Sequence, residues 1–318
     1  TAITYFFIEI VIQKTKSNFK ISDYLIYVLL ATICDVMPLR KINKIIAQNT
    51  IDKFNIQNYP ALNYIFEQYN LKKKLTIDDL GFLIGPIINS AGRLDDANKV
   101  VKLLTSSNDL NVKKIIYDLF ILNEQRKKIE SNTINELNLS EIKNDLSNIL
   151  IQYKNNFNEG IIGIIAARLK DFFDKPSIVM TKNKDFYKAS ARSNSNFNIG
   201  KFIKQAIDKG ILLNGGGHNL AAGFSIKKDK INLFKKFINS KFLDKNSTLS
   251  NNFLSKISLT AINNEFFDDI NKTGPFGSEN TNPIFLVENI KVLKPKIVNN
   301  KYVSFFAKSK SNKMIPAI

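Results

Sequence analysis

The sequence is short of the side chains that build disulfide bonds and zinc sites. Its 318 residues include one cysteine, one histidine and no tryptophan. The single cysteine, Cys34, excludes an internal disulfide, and no cluster of cysteine and histidine is present to bind zinc. A chain with one thiol and no disulfide fits a reducing compartment, so we expect a cytoplasmic protein.

Long uninterrupted apolar runs are also missing. No window approaches the ~20 residues of a membrane-spanning helix, and the opening segment TAITYFFIEIVIQK is too short to cross a bilayer. This segment also lacks a basic leader and a small-residue cleavage site. We therefore expect no membrane segment. The start at Thr1 and the apolar final run NKMIPAI predict a fragment of a longer protein.

Acidic residues are scarce relative to basic ones. The chain has 28 Asp and Glu against 46 Lys and Arg, which gives a formal net charge of +18 at pH 7. Such a surplus favours a polyanionic partner, in particular nucleic acid. An A+T-rich genome, which encodes many Ile, Asn and Lys residues, is the alternative explanation. That bias should raise glutamate too, so it does not account for the whole imbalance.

The first half of the chain has helical patterns. Ile3–Ile12 predicts a buried helix, and DYLIYVLLATICDVMPL predicts a helix that runs into a turn at Pro38. Residues 108–144 contain neither Gly nor Pro, and their apolar side chains recur at intervals of three and four. This stretch therefore predicts a long amphipathic helix suited to connect two domains.

The second half alternates strand and helix patterns. Apolar runs in SNILIQYK, KPSIVMT, FYKASARS and LAAGFSIK predict strands separated by helices, which argues for an α/β domain on a small sheet. A basic helix, KINLFKKFINSKFL, then leads to an Asn/Ser-rich linker. The remaining alternating runs, among them PIFLVENIKVLKPKIV and KYVSFFAK, predict a small β-barrel that is incomplete in this chain.

One helix pattern and one strand pattern could bind an anion. EGIIGIIAARL sets Gly160 and Gly163 at the start of a helix, where free backbone N–H groups and the helix dipole favour negative charge. Close packing of the helix on a sheet is the alternative explanation, and it is the one that the motif alone favours. In ASARSNSN, alternation places Ser190 and Arg192 on one strand face, where a hydroxyl and a guanidinium suit a phosphate. A solvated arginine at a strand end is the alternative.

The stretch LNGGGHNLAAGF contains Gly215, Gly216 and Gly217 followed by His218, the one histidine of the chain. Three glycines predict a loop with positive φ at several positions, in which the backbone approaches a ligand closely. The imidazole of His218 could then donate to a phosphate oxygen. A structural turn with a solvated histidine is the alternative.

Three further polar residues lie at the ends of apolar segments. Asp35 ends ATICDVMPL, where a carboxylate beside aliphatic residues needs a partner and a divalent metal ion could supply one. Termination of the helix before proline is the alternative. GPIINSAGRLDD predicts a glycine-punctuated loop that carries Asn89 and Arg93, which could contact phosphates or satisfy backbone groups.

Seven stretches, in chain order, resemble consecutive motifs of the RecJ family of single-strand-specific 5′→3′ DNA exonucleases, in the DHH phosphoesterase superfamily. These stretches are ATICDVMPL, GPIINSAGRL, LNEQRKKIE, EGIIGIIAARL, SARS, GGGHNLAAGF and GPFGSENTNPIF. The resemblance covers nearly the whole chain, and it rests on the shared order and similar spacing of the seven.

The resemblance implies an α/β architecture with five parts. These are the C-terminal part of a DHH catalytic domain (residues 1–105), an interdomain helix (106–145), a DHHA1 domain (146–230), a linker helix (231–250) and a partial OB-fold β-barrel (251–318).

The resemblance also implies a function for the site residues. The family hydrolyses phosphodiester bonds with two divalent ions, Mn²⁺ or Mg²⁺, and Asp35 matches the last metal-ligating aspartate, while the other ligands would lie upstream of Thr1. The remaining matches are to substrate-binding positions: Asn89, Arg93, Ser190, Arg192, Gly215, Gly216, Gly217 and His218. Single-stranded DNA is the implied partner, with a single-strand-binding protein and a helicase as candidate protein partners in DNA repair and recombination.

The chain departs from the family pattern at a few positions, and two other functions stay open. Ile87 replaces a common arginine, Glu279 replaces a glycine, and residues 157–159 lack the usual Trp-His pair. A DHH–DHHA1 phosphodiesterase of cyclic dinucleotides or short oligonucleotides would share several of these motifs, although it would usually lack an OB segment. A non-catalytic single-strand-binding relative is the other alternative.

Overall fold

The computed structural model describes residues 1–106, 108–242, 253–299 and 302–318. These residues form two compact units. The first consists of Thr1–Tyr59, Tyr69–Gly85 and Leu249–Ile318, and the second of Pro60–Gln68 and Pro86–Thr248. A search of the described ranges finds no helix with the length and apolar character that a membrane span requires. The bounds of the five parts that the family resemblance implies remain predictions.

The helices and strands of the described residues are numbered in chain order. The α-helices are α1 (Ala2–Thr15), α2 (Leu25–Cys34), α3 (Lys41–Lys53), α4 (Pro60–Gln68), α5 (Gly85–Leu94), α6 (Asn98–Thr105), α7 (Asp109–Asn135), α8 (Leu139–Lys143), α9 (Ile162–Phe173), α10 (Ile199–Asp208), α11 (Ile231–Asn239) and α12 (Asn264–Lys272). The strands are β1 (Leu150–Lys154), β2 (Ser177–Asn183), β3 (Phe186–Arg192), β4 (Asn214–Gly217), β5 (Ala221–Lys227), β6 (Ser255–Lys256), β7 (Phe285–Leu286), β8 (Lys291–Val298), β9 (Tyr302–Lys308) and β10 (Met314–Ala317).

In the first unit, α2 is the most buried helix. Ile26, Val28 and Leu29 are at most 2% exposed, because α2 packs against α3 and against the π-helical turn Asp79–Ile84. The predicted helix and turn are confirmed, since α2 ends at Cys34 and the chain then turns through Val36, which has φ 53°.

The first helix forms as predicted, but its predicted burial is wrong for the described residues. Tyr5 is the buried residue of α1, whereas Ile3 is 86% and Phe7 65% exposed. Apolar side chains surround this helix on all sides, and only the side with Tyr5 packs against Val28 and Ile46. An apolar sequence forms a helix readily, but a neighbouring element must cover each side before that side is buried.

The C-terminal part of the first unit contains the strands expected of a small barrel. β8, β9 and β10 form an antiparallel sheet in the order β10-β9-β8, and β6 pairs in parallel with β7. Glu279, the replacement for a family glycine, has φ 55°, so the backbone keeps the left-handed conformation that a glycine adopts freely. Its carboxylate pairs with Arg40 at 3.6 Å, and its carbonyl accepts a hydrogen bond from Arg40 Nε.

The second unit is built on a five-stranded sheet with the order β1-β2-β3-β5-β4. β1 and β2 are parallel, and α9 forms the crossover between them, as parallel neighbours require. The other pairs are antiparallel. The predicted α/β domain on a small sheet is therefore confirmed.

Helices cover both faces of this sheet. On one face, α9 and the side of α7 that carries Ile129 and Ile134 pack against Leu150 and Val179 of the sheet. On the other face, α10 and α11 bury their apolar sides over Ile178, which is fully buried. The long helix predicted between residues 108 and 144 is α7, and it is followed by the short helix α8.

Candidate functional site

Strand β3 presents three polar side chains toward the face covered by α9. Along β3, Tyr187, Ala189 and Ala191 are buried in the core under α10 and α11, and the alternate residues Lys188, Ser190 and Arg192 are half-buried. The Nη1 of Arg192 donates to Ser190 Oγ at 3.0 Å and to the Ala191 carbonyl at 2.9 Å. The prediction that Ser190 and Arg192 share a face is confirmed.

The N-terminus of α9 lies directly over Ser190 and Arg192. A Cβ placed on Gly163 would lie 3.0 Å from both Arg192 Nη2 and Ser190 Oγ, so glycine keeps the space between the helix and these side chains. No side chain caps α9, and the N–H groups of Ile162 and Gly163 have no acceptor among the described residues. Free N–H groups together with the helix dipole attract an anion to this position.

Arg93 of α5 supplies a second guanidinium. Its Nη1 donates to the Gly160 carbonyl at 3.0 Å, which ties α5 to the segment before α9. A Cβ on Gly160 would lie 1.9 Å from the Arg93 carbonyl oxygen, so the close approach requires glycine. At Gly160 the close contact is therefore with the backbone of α5 and not with the sheet, so it differs from the helix–sheet packing that was the alternative explanation.

The two arginines carry charge that nearby acids do not fully offset. Burial lowers the pKa of Arg192, and the positive charge of Arg93 lowers it further. Burial also lowers the pKa of Arg93, with Arg126 adding to the effect and Glu130 opposing it. Both side chains stay protonated at neutral pH because guanidinium is a very weak acid. A bound anion would relieve the repulsion between them.

The carboxylate of Glu130 forms ion pairs with two further arginines, Arg126 and Arg168. Its carboxylate is 9% exposed and accepts from Arg126 Nη1 and from Arg168 Nε, each at 2.8 Å. Asn123 Oδ1 accepts from Arg126 Nε at 3.2 Å. Because Arg126 belongs to α7 and Arg168 to α9, the buried carboxylate of Glu130 connects these two helices.

Arg93, the polar residues of β3 and the N-terminus of α9 line a cavity of about 380 Å³ within the second unit. The polar lining includes Arg93, Lys188, Ser190, Arg192 and Asn214. The one carboxylate of the lining, Glu159, accepts hydrogen bonds from Lys188 Nζ and, at 2.9 Å, from Asn183 Nδ2, and this pairing lowers its pKa. The cavity combines backbone N–H groups, a hydroxyl and two guanidinium groups, which is the donor set that phosphate oxygens accept.

The predicted glycine loop is a strand. Gly215, Gly216 and Gly217 belong to β4, which pairs with β5, and none of them has the predicted positive φ. The physical reason is crowding, because a Cβ on Gly215 would lie 2.6 Å from Phe224 Cβ and one on Gly217 would lie 2.4 Å from a backbone oxygen. Gly215 and Gly217 therefore allow β4 to approach β5 closely.

Of these glycines and the histidine after them, the cavity lining contains Gly215 and not Gly216, Gly217 or His218. His218 is exposed just beyond β4. Its backbone N–H donates to the Ala221 carbonyl, and its carbonyl accepts from Gly200 N. The structure therefore brings Gly215 to Ser190, Arg192 and Arg93 and leaves the imidazole at a neighbouring turn.

The predicted loop around Asn89 is also wrong, because residues 85–94 form α5. Pro86 is tolerated in the first turn of a helix, and the π-helical turn before Gly85 runs directly into it. Burial of Ile87 and Ala91 on one side compensates for the weak helix propensity of Gly92. Asn89 points to solvent on the opposite side and does not line the cavity, unlike Arg93.

Asp35, the predicted metal ligand, lies in the first unit. It follows the last residue of α2 and is exposed. Among the residues that the structure describes, no group of three or more His, Cys, Asp or Glu side chains could hold a metal ion. Asp35 therefore has no companion ligands in the described parts of the chain.

Sequence reasoning missed Lys188 and Asn214, which also line the cavity. The period of two that identified Ser190 and Arg192 extends to Lys188 and would have identified it. Asn214 had no such signal, because its place beside the cavity depends on the pairing of β4 with β5.

Known protein families match two parts of the chain. Residues 146–244 match the DHHA1 domain, and residues 255–318 match the RecJ OB domain. The chain is RecJ-like. This match confirms the family that the seven motifs resemble.

Curated relatives extend the similarity of the RecJ-like chain to its N-terminal part. It is 29% identical over 300 residues to the single-stranded-DNA-specific exonuclease RecJ of Escherichia coli K12, covering 89% of this chain and 51% of the relative. It is 30% identical over 241 residues to the protein of the same name from Haemophilus influenzae, covering 73% and 42%. The RecJ-like chain thus spans about half the length of these relatives.

A solved structure shows the same fold. The crystal structure of RecJ in complex with Mn²⁺ from Thermus thermophilus matches with a TM-score of 0.76 at 20% identity, over 93% of this chain and 44% of that one. The expected α/β architecture with DHHA1 and OB domains is therefore confirmed.

Proposed function

We propose that the RecJ-like chain is part of a single-stranded-DNA-specific 5′→3′ exonuclease, and that its cavity binds a phosphate group of the strand. The observation that carries the proposal is the arrangement of Arg192 and Ser190 directly below the open N-terminus of α9. The relatives named single-stranded-DNA-specific exonuclease RecJ support the substrate class.

In this proposal, the residues of the cavity bind and orient the phosphate. Arg192 and Arg93 contribute charge-assisted hydrogen bonds, which are about twice as strong as neutral ones. The N–H groups at the start of α9 meet the oxygens on the other side, and Ser190 contributes a hydroxyl. Because the phosphate is held from several sides, the strand is fixed in one orientation. These residues contribute to cleavage by orienting the strand.

Hydrolysis in the proposed enzyme uses Mn²⁺ or Mg²⁺, which is supported by the crystal structures of Thermus thermophilus RecJ in complex with each of these ions. The described residues do not fit two ions, because Asp35 has no companion ligands among them. Asp35 is proposed as one ligand of such a site, and no hydrolytic step is derived from the side chains described. We accordingly expect the purified 318 residues to bind strands without digesting them in the presence of Mn²⁺.

The composition of the chain supports proposals about its partner and its compartment. The net charge of +18 supports single-stranded DNA as the partner. A single-strand-binding protein and a helicase are proposed partners in DNA repair, because they supply and protect unwound strands. Cys34 as the one thiol of the chain supports a reducing, cytoplasmic compartment.

The match to the RecJ OB domain favours this function over a phosphodiesterase of cyclic dinucleotides or short oligonucleotides. A phosphodiesterase of dinucleotides needs no further domain to follow a strand, whereas OB folds bind single strands through charge and stacking. The test measures the affinity of the chain for a long 5′-phosphorylated strand and for a 5′-phosphorylated dinucleotide. A clear preference for the dinucleotide would favour the phosphodiesterase and contradict the proposal.

Arg192→Ala tests the cavity directly. Loss of charge-assisted hydrogen bonds costs about 1.5–3 kcal/mol, so we expect affinity for a 5′-phosphorylated single strand to fall about 10- to 150-fold. Lys170→Ala is the matched control, since Lys170 is a cation of the same unit that is paired with Asp171 at 2.5 Å. Fluorescence anisotropy measures both. Equal affinities of Arg192→Ala and the unmodified chain would show that the cavity does not bind the strand.

A further inference from the structure

A group of lysines lies on the side of the sheet opposite the cavity. Residues 199–242, which include α10 and α11, contain nine lysines and two acidic residues. Five of the exposed lysines lie on α10, on α11 or at the turns beside them, and we call these five the lysine face. They are Lys201, Lys204, Lys209, Lys228 and Lys236.

The fold separates the lysine face from the cavity. Tyr187, Ala189 and Ala191 of β3 point toward the core under α10 and α11, whereas Ser190 and Arg192 point toward α9. A side chain on the outer surface of α10 or α11 therefore lies a helix and a sheet away from the cavity. The two positive regions cannot bind the same phosphate group.

The lysine face also differs from the α9 side of the sheet in how its charges are paired. On the α9 side, Arg126 and Arg168 pair with Glu130, and Lys188 pairs with Glu159. No lysine of the lysine face forms an ion pair with a described acidic side chain. Its positive charge is therefore available to a ligand.

The chemistry of the surface identifies the kind of ligand. Ile203 of α10 and Phe234 of α11 are fully buried over the sheet, so these helices have no apolar side left to insert into a lipid bilayer. Of the large apolar side chains on the described parts of the two helices, Leu233 is the exposed one, and no exposed aromatic ring offers a platform for base stacking. Positive charge is therefore the feature of this surface that can bind a ligand. Positive charge binds a phosphate backbone without regard to nucleotide sequence.

We propose that the lysine face is a second nucleic-acid contact, which binds the sugar–phosphate backbone of the substrate at a distance from the cavity. The proposal rests on the proposed function only in that the backbone belongs to the same nucleic acid. A substrate long enough to pass around the edge of the sheet contacts both regions, whereas a dinucleotide contacts the cavity alone. The lysine face thereby makes affinity depend on substrate length.

The size of the effect follows from counterion release. For single strands, log K falls with log salt concentration by about 0.7 for each phosphate contacted, so three lysines contribute about 2 to the slope. At about 0.15 M salt the same relation gives about 4-fold in affinity for each contact, or about 50-fold for three.

The test neutralises three lysines of the face in the full chain, as Lys201→Gln, Lys204→Gln and Lys236→Gln combined. The matched control removes three lysines that already have acidic partners: Lys99 with Asp95, Lys113 with Asp109 and Lys127 with Glu124. Anisotropy is measured over a range of salt concentrations with a long 5′-phosphorylated single strand, a duplex of equal length and a 5′-phosphorylated dinucleotide.

We expect the face variant to bind the long strand about 50-fold more weakly with a slope smaller by about 2, and to bind the dinucleotide as the unmodified chain does. The control should change neither. A greater loss for the duplex than for the strand would assign the face to the double-stranded part of a substrate, within the proposal. Equal losses in both variants, an unchanged slope, or recovery of the chain on anionic phospholipid vesicles would overturn it. Failure of the dinucleotide to bind any variant would instead contradict the proposed cavity function.

Discussion

Gly163→Ala is the substitution for which the structure predicts opposite effects on stability and on phosphate binding. Gly163 is the second residue of α9, and its missing Cβ leaves space above Ser190 and Arg192. Alanine is favoured over glycine in a helix by about 0.5–1 kcal/mol. The new methyl group, however, would lie 3.0 Å from Arg192 Nη2 and 3.0 Å from Ser190 Oγ.

These contacts are tight but involve mobile groups. A guanidinium at the end of a long side chain can move by a few tenths of an ångström, so we expect the free energy of unfolding to rise by at most about 1 kcal/mol. For a unit of this size such a gain raises Tm by about 2–4 °C. The moved guanidinium then loses its position beside the N-terminus of α9.

Phosphate binding should weaken by at least about 10-fold, because misplacement of one charge-assisted contact costs about 1.5–3 kcal/mol. Thermal unfolding and anisotropy with a 5′-phosphorylated strand measure the two effects on the same samples. Gly92→Ala of α5 is the control, because its Cβ would meet Ala97 Cβ at an ordinary 3.6 Å and Gly92 does not line the cavity.

The control should gain stability and keep its affinity. If Gly163→Ala folded normally and bound the strand as tightly as the unmodified chain, the space between α9 and Arg192 would not be a phosphate site. A loss of affinity of the same size in Gly92→Ala would show that helix propensity, and not the cavity, controls binding.

The remaining predictions concern strand packing and the thiol. Gly215→Ala should lower the denaturation midpoint and Gly216→Ala should not, because a Cβ at 215 meets Phe224 Cβ at 2.6 Å while one at 216 meets nothing within 4 Å; equal midpoints would contradict the packing of β4 on β5. Burial, followed by the charge of Asp35, raises the pKa of Cys34 from about 9 to about 11. An acid with a raised pKa in the folded state stabilises the fold fully below the unfolded pKa and loses that contribution as pH rises through about 9 to 11. Unfolding free energy should therefore fall more steeply over that range in the unmodified chain than in Cys34→Ala, and parallel curves would refute the shift.

Local patterns in the sequence predicted the parts of the site that depend on one element. Alternation along a strand fixes that Ser190 and Arg192 share a face, because successive side chains of any strand point to opposite sides. The same patterns failed where packing outweighed propensity. Gly85, Pro86 and Gly92 indicate a loop locally, yet burial of the apolar side of α5 holds them in a helix. The three glycines before His218 indicate a flexible turn, yet close pairing with β5 makes them a strand.

Composition alone determined that the chain carries a surplus of positive charge and a single thiol, because these are sums over residues and need no coordinates. The tertiary structure alone decided where that charge lies. The packing of α5 against the segment before α9 brings Arg93 to the carbonyl of Gly160, which is 67 residues away, and the sheet separates the cavity from the lysine face. Contacts of this kind depend on how strands and helices pair across long separations, and the spacing of residues along the chain does not encode that pairing in any local pattern.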